Sequence, residues 1–149
     1  MARHPRWVRK LLSEADLEAV TRAIREAEAH TSAEIRVHVD ARCPGDAGAR
    51  AVQVFERLGM HKTVERHGVL LYVAIGDKKL AVIGDQGIHE RVGDGYWQQL
   101  VATVSAHFRA ERSRDGLVHG VGELGAVLRR HFPRRRHDVN ELGDEVSIG

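Results

Sequence analysis

The chain has 149 residues, of which 42% are hydrophobic and 30% are charged, and its formal net charge is +2 at pH 7. This length suits one domain, no apolar run approaches the roughly 20 residues that span a bilayer, and the net charge is too small to attract nucleic acid. The single cysteine, Cys43, excludes a disulfide framework and a zinc site built from several cysteines. We therefore expect a cytoplasmic globular domain without a secretory leader, because the basic N-terminus lacks an apolar core.

The N-terminal third is predicted to contain an arm and one helix. Residues 1–12 mix arginines with apolar side chains and are assigned to an N-terminal arm. Ser13 has the character of a helix N-cap, and Glu14 and Asp16 follow in the first turn, where carboxylates meet exposed N–H groups. A helix is therefore predicted from this cap to about His30.

The next segments predict two strands joined by a helix. Residues 33–40 alternate apolar and polar side chains, which is typical of a strand with one more solvent-exposed face and suits a sheet edge or a thinly covered face. A glycine-rich loop over residues 41–48 precedes an amphipathic helix that ends near Gly59. The apolar residues 69–75 then form a second strand. A right-handed crossover would place the two strands parallel in a βαβ unit.

A hairpin and two further helices complete the predicted domain. Residues 79–84 return from a Gly-Asp turn as an antiparallel strand, and residues 85–93 are predicted to be a polar loop. Asp94 can cap a third helix, and residues 115–131 repeat the amphipathic pattern of a fourth.

These elements predict an α/β fold, a three-layer α/β/α sandwich. Its small mixed sheet contains the βαβ unit and the hairpin, and about four helices cover both faces. The domain is assigned to residues 13–132 and a C-terminal tail to residues 133–149. The tail joins an arginine cluster to an acidic and apolar segment, and disorder, packing back on the sheet and nucleic-acid contact all stay open for it.

Two apparent motifs are not assigned to chemistry. Gly120, Gly122 and Gly125 spell G-x-G-x-x-G, but they lie inside a helical pattern and not between a strand and a helix. Close helix packing is therefore predicted. Cys43 begins a strand-to-helix loop, but Arg50 comes one residue too late for a cysteine-based phosphatase loop. Neither a dinucleotide site nor a thiol nucleophile is predicted.

Acidic and histidine side chains are expected to meet at one end of the sheet. The beginnings of the two parallel strands should lie beside the end of the third strand. This topology predicts a metal site with the ligands Asp85, Glu90, Glu34, Asp94 and His67, with His89 nearby. Carboxylates from separate loops suit a hard cation such as calcium, which takes several oxygen ligands, and the histidines leave zinc or manganese open.

The same residues also have simpler interpretations. Asp94 would then only cap the third helix, Glu34 would be an exposed strand residue, and Glu90 would pair with Arg91 in solvent. In that case the loop after the third strand is a polar rim without a ligand.

Three segments of the chain form a recognisable set: TSAEIRV at 31–37, HGVLLYVA at 67–74 and GDQGI at 84–88. Together they resemble the TPM domain family, whose members include thylakoid-lumen proteins linked to photosystem repair and many bacterial proteins. The resemblance covers about residues 12–132. Residues 138–147 are similar to the tail of a stand-alone bacterial subgroup.

This resemblance implies an α/β/α sandwich, divalent-metal binding that usually involves calcium, and the acid-phosphatase activity reported for some relatives. The family often has Asp-Asn-Gly before the central strand, where this chain reads Arg66-His67-Gly68. The later acids of the family fall at Asp85 and Glu90.

We therefore predict a non-catalytic TPM-like module that binds a divalent cation and a protein partner, without a membrane span. One alternative is a metal-assisted acid phosphatase acting on phosphomonoesters, with Asp85 and Glu90 holding the ion. A second alternative is an adaptor that acts through the C-terminal tail.

Overall fold

The computed structural model describes residues 12–60, 67–109, 112–134 and 146–149. Nearly all of the predicted N-terminal arm lies outside these ranges, as does the side chain of Asp94. In the described ranges the chain forms five helices and four strands, which are α1 (Glu14–Glu28), β1 (Glu34–Asp40), α2 (Ala47–Arg57), β2 (Gly68–Ala74), β3 (Lys79–Gly84), α3 (Gln86–Val92), α4 (Asp94–Arg109), α5 (Ser113–His131) and β4 (Ser147–Ile148).

The four strands form one mixed sheet in the order β3-β2-β1-β4. Strand β1 runs parallel to β2, with Glu34 opposite Gly68 and Asp40 opposite Ala74. Strand β3 is antiparallel to β2. The predicted βαβ unit and hairpin are both confirmed, because their signals are local: turn residues separate short runs of strand-forming side chains.

Helices cover the sheet on both faces, so the predicted three-layer sandwich is confirmed. Val37 and Leu71 lie on the face that packs under α1, α4 and α5. Leu70 and Tyr72 lie on the other face, which packs against α2. All seven residues of β2 are buried, as expected for a strand with covered neighbours on both sides. Among the described helices, none is long and apolar enough to cross a membrane.

Strand β1 is an internal and mostly buried strand, so neither the predicted sheet edge nor the predicted thinly covered face is correct. Strand β4 pairs with its outer side, with His38 opposite Ser147 and Val39 opposite Ile148. The polar side chains of Glu34, His38 and Asp40 are all buried. Two of them, His38 and Asp40, form a hydrogen bond with each other inside the protein.

Three alternatives were open for the C-terminal tail, and its described end, residues 146–149, packs back on the sheet. Val146 is buried in the main core, and Gly149 donates its backbone N–H to the Val39 carbonyl at 2.9 Å. Arg134, the first residue of the arginine cluster, donates to the Glu28 carbonyl at 3.1 Å. The rest of the cluster and most of the acidic segment belong to residues 135–145, outside the described ranges.

The predicted polar loop after β3 contains a short helix, α3, which raises the number of described helices above the predicted four. Asp85 caps it by accepting a hydrogen bond from the Gln86 backbone, and Ile88 is its buried residue. Gly93 ends it with a φ of 85°, a conformation that favours glycine. A helix of two turns with one buried side chain offers too few residues for a periodic signal.

Candidate functional site

Glu34 and Asp85 lie on either side of the first residue of β2. Glu34 donates its backbone N–H to the His67 carbonyl at 3.0 Å, and Asp85 donates its own to the Gly68 carbonyl at 2.8 Å. The register therefore places Glu34, Gly68 and Asp85 in one row across the sheet, on the face that carries α2. Gly68 has no side chain, and Met60 lies over it: a Cβ at Gly68 would be 3.4 Å from the Met60 carbonyl oxygen and 3.5 Å from Met60 Cε.

Both carboxyl groups of this row are buried, with exposed fractions of 6% for Glu34 and 4% for Asp85. The interpretation of Glu34 as an exposed strand residue is therefore wrong. The backbone confirms the prediction that the beginning of β1 and the end of β3 lie at the same end of the sheet. This placement depends only on the directions of the strands.

The other predicted ligands are placed differently. The His67 ring packs against Phe132, with 4.2 Å between ring centroids, on the opposite face of the sheet from Glu34. Glu90 is exposed on α3 and accepts a hydrogen bond from Gln86 at 3.3 Å. Asp94 is the first residue of α4, and its side chain lies outside the description. Among the described side chains, no group of three or more His, Cys, Asp or Glu residues is arranged to hold a metal ion. The five-residue metal site stays a prediction.

A denser polar cluster lies at the opposite end of the sheet, where β1 ends. Asp40 Oδ2 accepts hydrogen bonds from the Tyr72 hydroxyl at 2.7 Å and from Arg50 Nε at 2.8 Å. Asp40 Oδ1 lies 2.9 Å from His38 Nε2. One buried carboxylate thus joins β1, β2 and α2.

The surroundings set the protonation state of each group in this cluster. Burial raises the pKa of Asp40, but hydrogen bonds from Arg50, Tyr72 and His38 outweigh it and lower the pKa to about 2. Burial lowers the pKa of His38, and its bond to Asp40 only partly opposes this. Burial and the nearby Asp40 raise the pKa of Tyr72. At neutral pH the cluster therefore holds a carboxylate, a neutral imidazole and a neutral phenol.

His38 also connects Asp40 to the C-terminal strand. Its Nδ1 lies 3.0 Å from the Ser147 hydroxyl. In the neutral ring, Nε2–H donates to Asp40, and Nδ1 accepts from Ser147. This order of groups matches that of a Ser-His-Asp triad, but the His38 ring is fully buried and cannot reach a substrate. The chain of bonds fixes β4 against β1.

A cleft of about 620 Å³ opens beside this cluster, in the region where α/β proteins often bind ligands. The charged side chains that line it are two carboxylates, Asp40 and Asp46, and two guanidinium groups, Arg42 and Arg50. Arg50 is paired with Asp40, and Arg42 Nη1 lies 3.3 Å from Asp77 Oδ1. The cleft therefore selects neither anions nor cations by net charge.

The sequence contained one signal for this cluster that our predictions did not use. His38 and Asp40 stand two residues apart on one strand, so they must share a face. Their partners Tyr72 and Arg50 come from other elements and depend on strand register and helix placement.

Lowering the pH below 6.5 is expected to destabilise the protein through His38. Its pKa is lowered from 6.5 in the folded state, so the unfolded chain takes up the proton first, and stability falls as the pH drops through this window. One such group contributes at most about 1.4 kcal/mol per pH unit. Asp40 adds a second loss between pH 3.8 and about 2.

Urea unfolding of the wild type and of His38→Gln across this range measures the effect. The His38→Gln variant should show a shallower dependence below pH 6.5, whereas His30→Gln, at an exposed position, should keep the wild-type slope. Equal slopes for His38→Gln and the wild type would contradict the prediction.

Comparison with known proteins supports the architecture. A sequence model of the TPM domain matches residues 8–127. The solution structure of BA42 from the psychrophilic bacterium Bizionia argentinensis is 37% identical, with a TM-score of 0.85, and the match covers 93% of this chain and 95% of that protein. None of the curated proteins matches the chain.

Two more distant structures share the fold. The N-terminal domain of cg2496 from Corynebacterium glutamicum is 13% identical with a TM-score of 0.63, and the match covers 86% of each chain. The N-terminal domain of a P. gingivalis protein is 20% identical with a TM-score of 0.69, over 85% of this chain and 83% of that domain.

Proposed function

This chain belongs to the TPM domain family, and we propose that it is a non-catalytic binding module that holds a divalent cation, calcium, through Glu34 and Asp85. The observation that supports this function best is the row of Glu34, Gly68 and Asp85. Two buried carboxyl groups flank a residue without a side chain.

The chemistry of the row suits a hard cation. Buried carboxylates require partners, and a divalent ion can be one of them. Calcium takes carboxylate and backbone carbonyl oxygens together. The His67 and Gly68 carbonyls at this end each have a second lone pair beyond the one that accepts the backbone hydrogen bond.

Adding calcium chloride is expected to raise the thermal unfolding midpoint of the full chain. An ion that binds only the folded protein stabilises it by about 2.7 kcal/mol at a hundredfold excess over Kd. Glu34→Gln and Asp85→Asn should each remove most of this shift. Asparagine is also a good helix N-cap, so Asp85→Asn keeps the cap of α3.

Glu90→Gln is the matched control, because Glu90 is a neighbouring carboxylate exposed on α3. It should leave the calcium shift unchanged. If calcium, magnesium and manganese all leave the wild-type midpoint unmoved, the proposed cation site does not exist.

The catalytic alternative is tested on the same variants with a phosphomonoester substrate. Hydrolysis that requires the metal and disappears in Asp85→Asn would replace the non-catalytic proposal with a metal-assisted phosphatase. The protein partner, the adaptor role of the tail and the cytoplasmic location expected from the sequence stay predictions.

A further inference from the structure

Two histidines from different helices meet on the surface formed by α4 and α5. The rings of His107 and His119 are stacked, with 5.3 Å between centroids and 25° between ring planes. Gly116 makes this approach possible, since a Cβ at that position would lie only 2.9 Å from His107 Cβ. His119 follows Gly116 by three residues and so lies on the same face of α5.

The environment of His107 determines which of its nitrogens is available. Its Nδ1 lies 3.1 Å from the backbone carbonyl of Thr103. A carbonyl oxygen can only accept, so Nδ1 carries the hydrogen, and the lone pair of the neutral ring is on Nε2. Metal-binding histidines typically donate their second nitrogen to a carbonyl or carboxylate in this way.

His119 has the freedom and the local charge that a second ligand needs. Its side chain is 43% exposed, and its terminal torsion has a broad energy minimum, so the ring can turn toward His107. Glu123 lies one turn further along α5, with its Oε1 3.9 Å from His119 Nε2. This carboxylate adds negative charge beside the pair.

We propose that His107 and His119 chelate a late first-row divalent metal ion, Zn²⁺ or Cu²⁺, across α4 and α5. Imidazole nitrogen suits these ions, whereas calcium prefers oxygen ligands. Two protein ligands with water in the remaining positions make a weaker site than a closed structural zinc site. The bridge would hold α4 and α5 together in the folded state only, and so would stabilise it.

Zinc chloride titration of the full chain by calorimetry tests this site, with thermal unfolding in the same buffer as a second readout. His107→Gln and His119→Gln are each expected to weaken zinc binding by roughly tenfold or more, because even the loss of an outer-shell partner costs that much. The double variant should also lose the zinc-dependent rise of the unfolding midpoint. Midpoints measured with a chelator present establish that each variant folds.

Two controls separate this pair from other sites. His30→Gln changes an exposed histidine elsewhere and should bind zinc as the wild type does. Glu34→Gln should also keep zinc binding, so a failure of the calcium proposal would not affect this result. A double histidine variant with wild-type zinc affinity, or a wild type that binds no zinc, would overturn the proposal. If His107→Gln does not fold, His119→Gln alone tests the zinc site, because position 119 is exposed and its substitution should not prevent folding.

Discussion

Asp40→Ala is expected to lower the free energy of unfolding by about 3–5 kcal/mol, the usual cost of removing one partner from a buried ion pair. The substitution removes the acceptor that Tyr72, Arg50 and His38 share. Tyr72 and His38 are fully buried, so their donor groups would lose their acceptor where an unsatisfied hydrogen bond is expensive. Arg50 lines the cleft and can turn to water instead. Urea unfolding with an unchanged m value measures the loss.

Two further variants make this prediction specific. Asp40→Asn should cost less than alanine, because its carbonyl can accept from Tyr72 and its amide can donate to His38 in the other tautomer. Asp115→Ala removes an exposed carboxylate on α5 and should change the free energy by no more than about 0.5 kcal/mol. A loss in Asp115→Ala as large as that in Asp40→Ala would show that the cluster has no special role.

Asp40→Ala should also weaken the attachment of the C-terminal strand, β4, to β1. His38 links Asp40 to Ser147, so without Asp40 the ring is no longer held in place for its bond to β4. Hydrogen exchange at the Gly149 N–H, which bonds to the Val39 carbonyl, should therefore accelerate by more than that of amides in α5.

Gly125→Leu is expected to destabilise the protein by about 2–3 kcal/mol, the typical cost of overpacking a close contact. A Cβ at this position would lie 2.8 Å from Ala27 Cβ and 3.4 Å from Ala27 Cα. Helix α1 lies against α5 here without space for a side chain. The substitution would push the two helices apart and expose part of the core between them.

Gly122→Leu is the matched control, because it makes the same change on the same helix at an open position. A Cβ at Gly122 would have no contact within 4 Å. Leucine should then stabilise the helix by up to about 1 kcal/mol relative to glycine. Urea unfolding of both variants distinguishes the two positions. A similar loss in both would mean that helix propensity, and not contact with α1, explains the glycines.

The glycines of α5 show which features of helix packing the sequence could predict and which it could not. Their position inside a helical pattern correctly predicted close helix packing instead of a dinucleotide loop. The sequence could not say that Gly120 packs against Val104 and Gly125 against Ala27 while Gly122 faces solvent. That difference depends on which helices lie beside α5.

The candidate cation row was predictable only in outline. Strand directions placed Glu34 and Asp85 at one end of the sheet, because the crossover makes β1 parallel to β2 and the hairpin reverses β3. The side-chain faces were harder to predict. The ring of His67 lies on the other face, and Glu90 is turned outward by a helix that the sequence pattern did not indicate.

By itself, the sequence determined the elements whose signals are local. The apolar run of β2, the hairpin after it and the capping box of Ser13 and Asp16 at the start of α1 were readable from neighbouring residues. Only the tertiary structure decided the rest. Strand β4 has two residues, and it is held by β1 and by the bond between Ser147 and His38, more than a hundred residues away in the chain. Contacts over such separations depend on the register and packing of the whole sheet, which no short stretch of sequence contains.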